Sequence, residues 1–233
     1  MLARLRLKKK WLAFADTMLD PAATVRRAAG SVGVHRSTSF RWRHRFLRWA
    51  RLDRQLPLEG IVEADEMYVL DSQKGSRQLG RPPRKRGGAA RKRGISSEHV
   101  CVLVARDRSG RTVDAVPGHG PVTAAQLALH LRPVLAPDAL LVTDSHASYR
   151  AFAARCDIAH RCVNVRSGER VRGAVHVQNV NAYHSRLRTW LRHFCGVASR
   201  YLINYCGWRW AIDGERINTA RAFLRSAVVP IHS

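Results

Sequence analysis

Lysine is scarce in this chain of 233 residues: only six of its 41 basic residues are Lys, and the rest are Arg. Carboxylates are also few, 17 Asp plus Glu, which leaves a formal net charge of +24. Such an imbalance points to a polyanion partner rather than a merely solvated basic surface, because each phosphate contact releases counterions and Arg suits bidentate phosphate contact. Long apolar runs are missing as well. Nothing approaches the ~18 consecutive apolar residues of a membrane span, and the opening MLARLRLKKKW lacks the apolar core of a signal peptide. A soluble intracellular protein with no membrane partner is expected. The five cysteines, at 101, 156, 162, 195 and 206, are odd in number and contain no C-x-x-C pair. That excludes a disulfide framework or a zinc ribbon and leaves most of them as small core residues.

What is present suits a folded protein, with 45% hydrophobic residues in a length that allows one large domain or a large and a small one. The positive charge is uneven. Residues 1–60 carry 14 basic and 4 acidic side chains, and residues 71–98 carry 9 and 2. Between them, Ile61-Val-Glu-Ala-Asp-Glu-Met-Tyr-Val-Leu70 holds three carboxylates and no base.

Apolar spacing predicts a helix over residues 8–19, stopped by Asp20-Pro21, and a second over 22–29. Gly30 to Val34 reads as a turn, and Ser37 or Thr38 as the cap of a third helix carrying Phe40, Trp42, Phe46, Leu47 and Trp49. Ala29, Gly33, Val34 and Trp42 sit where a helix-turn-helix needs a small residue, a turn glycine and core contacts, although Ser39 stands in a usually aliphatic place. Around the aromatic stripe lie Arg36, Arg41, Arg43, Arg45 and Arg48, which fit either a major-groove reader or the solvated face of a helical bundle.

The alternating segment 61–70 predicts a strand with Glu63 and Asp65 on one face and Glu66 on the other. Carboxylates crowded on a buried strand are costly unless a divalent cation or the Arg-rich surroundings neutralise them, and Mg²⁺ requires only one or two of them per site. Strands at 99–106 and 112–117 follow, joined by the hairpin signal Asp107-Arg-Ser-Gly110. A helix at 122–131, a buried strand at 139–144 ending in Asp144, and a helix at 145–155 come next. This order predicts an α/β fold, a ribonuclease H-like mixed sheet flanked by helices, in which the first and fourth strands are neighbours and Asp65 can meet Asp144. On a later helical stretch Asn181 and Arg188 are seven apart and share a face. The insertion at 71–98 reads as a flexible basic loop that folds on DNA; its Arg81, Arg84, Lys85 and Arg86 are candidate phosphate contacts, and Gly80-Arg81-Pro82 resembles an AT-hook core. His146, His176 and His184 stand near the proposed catalytic positions and read as hydrogen-bonded structural residues or as groups that orient a water or contact a phosphate, His176 foremost for the latter; Trp208 and Trp210 read as core or as a base-stacking pair.

Together VEADEMYV, LLVTDSHASY, HVQNVNAYHSRLRTW and FCGVASRYLINYCGW resemble the catalytic blocks of bacterial insertion-sequence transposases. The likeness is to the branch of the DDE superfamily with Asn as third residue, the ISXO-like group, and covers residues 5–225. It implies a helix-turn-helix domain at 1–55 and a catalytic domain at 60–233. It implies Asp65, Asp144 and Asn181 as ligands of two Mg²⁺ (or Mn²⁺) ions, with Arg188 where the family usually has Lys. Glu66 and His176 are possible accessory groups; Glu63 and Glu66 read first as satisfied strand-edge carboxylates, with compensation of charge beside a neutral Asn as the alternative. The implied activity is strand cleavage at element ends followed by 3′-hydroxyl transfer into target DNA, by a homo-oligomer in the bacterial cytoplasm at the nucleoid. Relatives commonly open with a cysteine-rich ribbon that this sequence does not contain, as a short variant or a shortened reading frame would. A catalytically inactive DNA-binding regulator and a nuclease acting on RNA in hybrids are the competing readings.

Overall fold

Residues 61–70 form the long strand β1 (Ile61–Leu70) in the computed structural model, which describes residues 7–20, 22–52, 57–85, 88–163 and 175–228. β1 pairs antiparallel with β2 (His99–Asp107), and β2 antiparallel with β3 (Thr112–His119) across the hairpin. On its other edge β1 runs parallel to β4 (Leu140–Asp144), which runs parallel to β5 (His160–Val163). The sheet order among the described residues is β3-β2-β1-β4-β5. A mixed sheet of this order with helices on both faces is ribonuclease H-like. The sequence reading did not find β5, a four-residue strand with little apolar pattern.

The two faces of the sheet differ. Val62 and Ala64 of β1, Leu103 and Ala105 of β2 and Leu141 of β4 are buried against Leu127 and Leu131 of α5 (Ala124–Leu131) and Tyr149 and Phe152 of α6 (Ala147–Cys156). A capping box between Thr123 and Gln126 starts α5. The opposite face carries Glu63 and Asp114 and receives α7 (Gln178–Arg192), where the Tyr183 hydroxyl donates to Asp114 Oδ2 at 3.2 Å.

The chain groups into two compact units, and the boundary differs from the expected division at 60. The sheet unit is Gln55–Arg186 with Val197–Arg200; the helical unit is Met1–Arg54 with Leu187–Gly196 and Tyr201–Ser233. The C-terminal helices thus belong with the N-terminal ones, and the reason is aromatic packing. α1 (Trp11–Thr17) and α3 (Arg36–Phe46) meet through edge-on contacts of Trp11 and Phe14 with Trp42 and Phe46. Phe46 and Trp49, the latter on α4 (Arg48–Leu52), then contact Phe223 of α9 (Ala220–Val228), and Trp49 also contacts Trp210 of α8 (Leu202–Asp213). Trp208 is fully buried and donates its indole N–H to the Met18 carbonyl at 3.0 Å. Trp208 and Trp210 are therefore core side chains, not a base-stacking pair.

Two local expectations also change. Helix α2 (Val25–Val32) continues past Gly30 and ends at Gly33, whose φ of 63° supplies the left-handed cap. α3 is capped by His35, not Ser37 or Thr38; its ring accepts the Ser37 N–H. Ser39 fits its buried place because its hydroxyl donates to the Val25 carbonyl at 3.0 Å.

Arg43 departs most from its expected role. Its side chain is fully buried, donates to the Ala23 carbonyl at 2.6 Å and lies over the Trp208 ring at 5.0 Å. Burial lowers its pKa, and the Tyr205 hydroxyl opposes that shift. It is a core arginine and does not face DNA. All six tryptophans lie in the helical unit, so intrinsic fluorescence reports that unit alone. In urea unfolding followed by tryptophan emission, Arg43→Ala is expected to cost about 2–4 kcal/mol, through lost packing and lost charge-assisted bonds. Arg41→Ala, at an exposed position, should stay within about 0.5 kcal/mol.

Candidate active site

Strand pairing brings the two aspartates together. Ile61, Val62 and Glu63 lie opposite Leu140, Leu141 and Val142, and the same parallel register continued by two residues sets Asp65 level with Asp144. Parallel partners point to the same face, so both carboxylates emerge on the side of α7. Both are partly exposed. Asp144 Oδ1 accepts the His146 N–H at 3.0 Å, and the His146 ring in turn caps α6. Asp65 Oδ2 lies 3.5 Å from Nδ1 of His184, a nearly buried residue of α7.

Asn181 is exposed on α7, one turn before His184 and so on the same side of that helix. Arg188 is exposed further along α7, in the stretch that groups with the helical unit. His176 stands beside Glu63, with its Nδ1 3.2 Å from Oε1, and Arg108 of the β2–β3 turn donates to the same carboxylate at 2.9 Å. Arg108 was not singled out in the sequence. A basic residue in a turn carries no sign of the buried carboxylate across the sheet from it.

Glu66 points to the other face, as the alternation requires. There burial raises its pKa to about 7, with the charges of Asp65 and Asp144 adding to the rise and the Tyr149 hydroxyl opposing it. The same three carboxylates and burial push the Tyr149 hydroxyl well above its ordinary value, burial being the largest cause. Tyr149 Oη and Glu66 Oε1 are both buried, and neither has a partner at full hydrogen-bond geometry. Tyr149 is a neighbour that the sequence reading missed; it sits five residues after Asp144 at helical spacing into the core.

The donor set suits a hard divalent cation. Two aspartates level on neighbouring strands bring hard oxygen donors and negative charge to one face of the sheet. Among the described residues no group of three or more His, Cys, Asp or Glu side chains is placed to hold a metal ion.

The basic insertion, expected as a flexible loop that folds on DNA, is tied to itself through its described residues. Arg84 donates to the Asp71 carbonyl at 2.8 Å and to Glu98 Oε1 at 2.9 Å, and Arg81 donates to the Asp71 carbonyl at 3.1 Å. The Lys92 backbone N–H, the Arg84 side chain and the Arg91 backbone N–H hold the Glu98 carboxyl down to about 2. Arg81 and Arg84 are thus internal ties of the loop, and the AT-hook reading loses its central arginine. Lys85 is exposed, and so are Arg77, Arg91, Lys92 and Arg93, which the reading left out although the charge count included them. Arg86 lies outside the described residues. On α3, Arg36 and Arg41 are exposed and Arg45 is half-buried. No described helix is long and apolar enough to cross a membrane.

The model of the ISXO2-like transposase domain matches residues 57–210. An uncharacterised protein in transposable element ISH50 of Halobacterium salinarum is 31% identical over 199 residues, covering 84% of this chain. The chain spans 66% of that relative's length. Among solved structures, a pre-cleavage Mos1 transpososome is similar over 98% of this chain and 82% of that one, at 13% identity and a TM-score of 0.33. The Mos1 strand transfer complex is similar over the same shares at 14% identity and a TM-score of 0.30.

Glu66 makes stability fall with pH. Between pH 4.5 and about 7 the folded chain keeps a proton there that the unfolded chain has lost, so folding is progressively disfavoured as pH rises through that window. Glu66→Gln removes the effect. By chemical denaturation followed by far-ultraviolet circular dichroism, the variant should gain on the parent between pH 4.5 and 7.5, by a difference on the order of 3 kcal/mol. A parent and variant with parallel pH profiles would contradict the assignment.

Proposed function

The chain belongs to the ISXO2-like transposase domain family, and from that premise we propose that it cleaves DNA strands at the ends of an insertion element and joins the freed 3′-hydroxyl to target DNA. The observation that carries the reading is the parallel β1–β4 register, which sets Asp65 beside Asp144 on the face that α7 covers. Asp65, Asp144 and Asn181 would hold two Mg²⁺ or Mn²⁺ ions. When bound, these ions supply Lewis-acid polarisation of the phosphoryl oxygens and a water of lowered pKa.

The residues themselves do the placing. Asp65 and Asp144 rise from adjacent strands, so the spacing of their carboxylates is set by backbone pairing and needs no flexible loop. His184, close to one oxygen of Asp65, restrains that side chain, and the backbone N–H of His146 restrains Asp144. Asn181 contributes a neutral amide oxygen from the exposed side of α7. Arg188, two turns on along the same helix, presents a guanidinium to a phosphate. In the first step a water oxygen bonds to phosphorus and the 3′-oxygen leaves with the pair of the broken P–O bond. In the second that 3′-hydroxyl gives up its proton as its oxygen bonds to a target phosphorus, and the target strand's own 3′-oxygen leaves with the pair of the broken P–O bond and takes up a proton. No enzyme nucleophile is required.

DNA is held by charge. The exposed Arg36 and Arg41, with Arg45 beside them, form the reading face of a helix-turn-helix made by α2 and α3, and in the sheet unit Lys85, Arg91, Lys92 and Arg93 of the insertion offer separate phosphate contacts. Two element ends joined in one reaction call for a homo-oligomer on DNA. Nucleoid association in the cytoplasm follows from such a substrate.

The test is cleavage of a supercoiled plasmid bearing the element ends in Mg²⁺ or Mn²⁺. Asp65→Ala and Asp144→Ala should each lower cleavage by about 10³-fold or more, while gel-shift affinity for the end stays within about threefold. Cleavage undiminished in either variant would overturn the proposal, and a parent that binds ends without cutting would favour an inactive regulator. Arg36→Ala and Arg41→Ala should weaken binding and lower the salt slope of log K by about one each.

A further inference from the structure

We infer that Glu63 is a positioning residue: from strand β1 its carboxylate docks the first turn of α7 and thereby sets Asn181 and His184 opposite Asp65. The inference rests on the proposed role of Asn181 as a ligand.

Helix α7 opens without a capping side chain of its own, since Val177 precedes its first residue, Gln178. Its leading N–H groups must still find acceptors. The Gln178 N–H approaches His176 Nδ1 at 3.4 Å, and the Asn181 N–H donates to the Val177 carbonyl at 3.1 Å. The two between them go to Glu63: Asn179 N–H donates to Oε2 at 2.7 Å and Val180 N–H to the same oxygen at 3.0 Å. These are the positions an N-cap normally serves, here served by a residue more than a hundred positions earlier in the chain. Oε1 accepts the Asn179 side-chain N–H at 2.8 Å and the Arg108 guanidinium at 2.9 Å.

Glu63 has no solvent exposure. A buried carboxylate without partners is severely disfavoured, so this one is stable only while α7 and Arg108 are in place, and they are oriented by it. The positive end of the helix dipole adds to the attraction.

Geometry turns that anchor into control of the site. Two residues of strand separate Glu63 from Asp65, an advance of about 6.7 Å. Along α7, His184 lies four residues beyond Val180, an advance of about 6 Å. The two attachments, Glu63 to Asn179 and Val180 and Asp65 to His184, therefore fix helix against strand at matched spacing. Slipping α7 by one residue would turn it by about 100° and carry Asn181 away from the aspartates.

The experiment is a double-mutant cycle with Glu63→Gln and Asn181→Ala on metal-dependent plasmid cleavage, together with hydrogen exchange of the amides at 178–184 in the metal-free full chain. Glu63→Gln should slow cleavage by about 10- to 100-fold with end binding unchanged, and should speed exchange at 178–181. Added to Asn181→Ala it should slow cleavage no further. A role in stability alone predicts the opposite, losses that multiply in the double variant, and that result would overturn the inference. Unchanged exchange at 178–181 would overturn it too. If Glu63→Gln does not fold, Asn179→Ala, which removes only the side-chain bond to Oε1, should show a smaller loss of about threefold with the same failure to multiply. Asn181→Ala cleaving at the parent rate would sink the ligand reading instead, and the exchange data would then judge the docking by themselves.

Discussion

Parallel pairing between β1 and β4 is the constraint on which the active-site proposal depends. Two strands far apart in sequence are brought edge to edge, with Glu63 opposite Val142, and two residues later a carboxylate stands on each. Because side chains alternate, a slip of one residue would send Asp144 to the face of α5 and α6 and strand a charge in apolar surroundings. The register is held by that face. Val62, Ala64, Leu141, Tyr149 and Phe152 are buried together there, and the same pattern that buries them forces Glu63, Asp65 and Asp144 to the other side.

Three carboxylates within four residues meet three different fates, and the differences define the site. Glu63 is wholly buried and ringed by donors from α7 and the β2–β3 turn. Glu66, on the opposite face, has too few donors, so burial raises its pKa to about 7. Asp65 remains partly open with one oxygen near His184. One carboxylate anchors a helix, one stays near neutral, and one is left available for a cation. Around this acidic island the chain carries a formal net charge of +24, so phosphate is drawn to the surface while the site itself repels it. The proposed divalent ion would reconcile the two.

Much of this was legible in the amino-acid order because period-two alternation and hairpin signals report backbone pairing. Strand β1, the hairpin at Asp107 to Gly110 and the Asp144 strand end were readable for that reason, and the pairing of the first and fourth strands followed from their order. Charge was a poorer guide to exposure. Arg43, Arg81 and Arg84 look like DNA contacts in a basic sequence, yet one is sealed among aromatics and two tie a loop to Asp71 and Glu98. An arginine has a long apolar stem and five donors, so it serves core and surface alike, and sequence alone does not separate these. The grouping of α8 and α9 with the N-terminal helices was hidden for a similar reason: aromatic residues announce that they will be buried but not against what.

The most direct measurement of the central claim is Mn²⁺ binding to the full chain, followed by electron paramagnetic resonance without DNA. The account predicts bound Mn²⁺ in the parent, affinity reduced by about tenfold or more in Asp65→Asn and in Asp144→Asn, and no further loss specific to one aspartate when both are changed. Mn²⁺ bound with parent affinity by the doubly substituted chain would contradict it, because the two strand-end carboxylates would then not share a metal site.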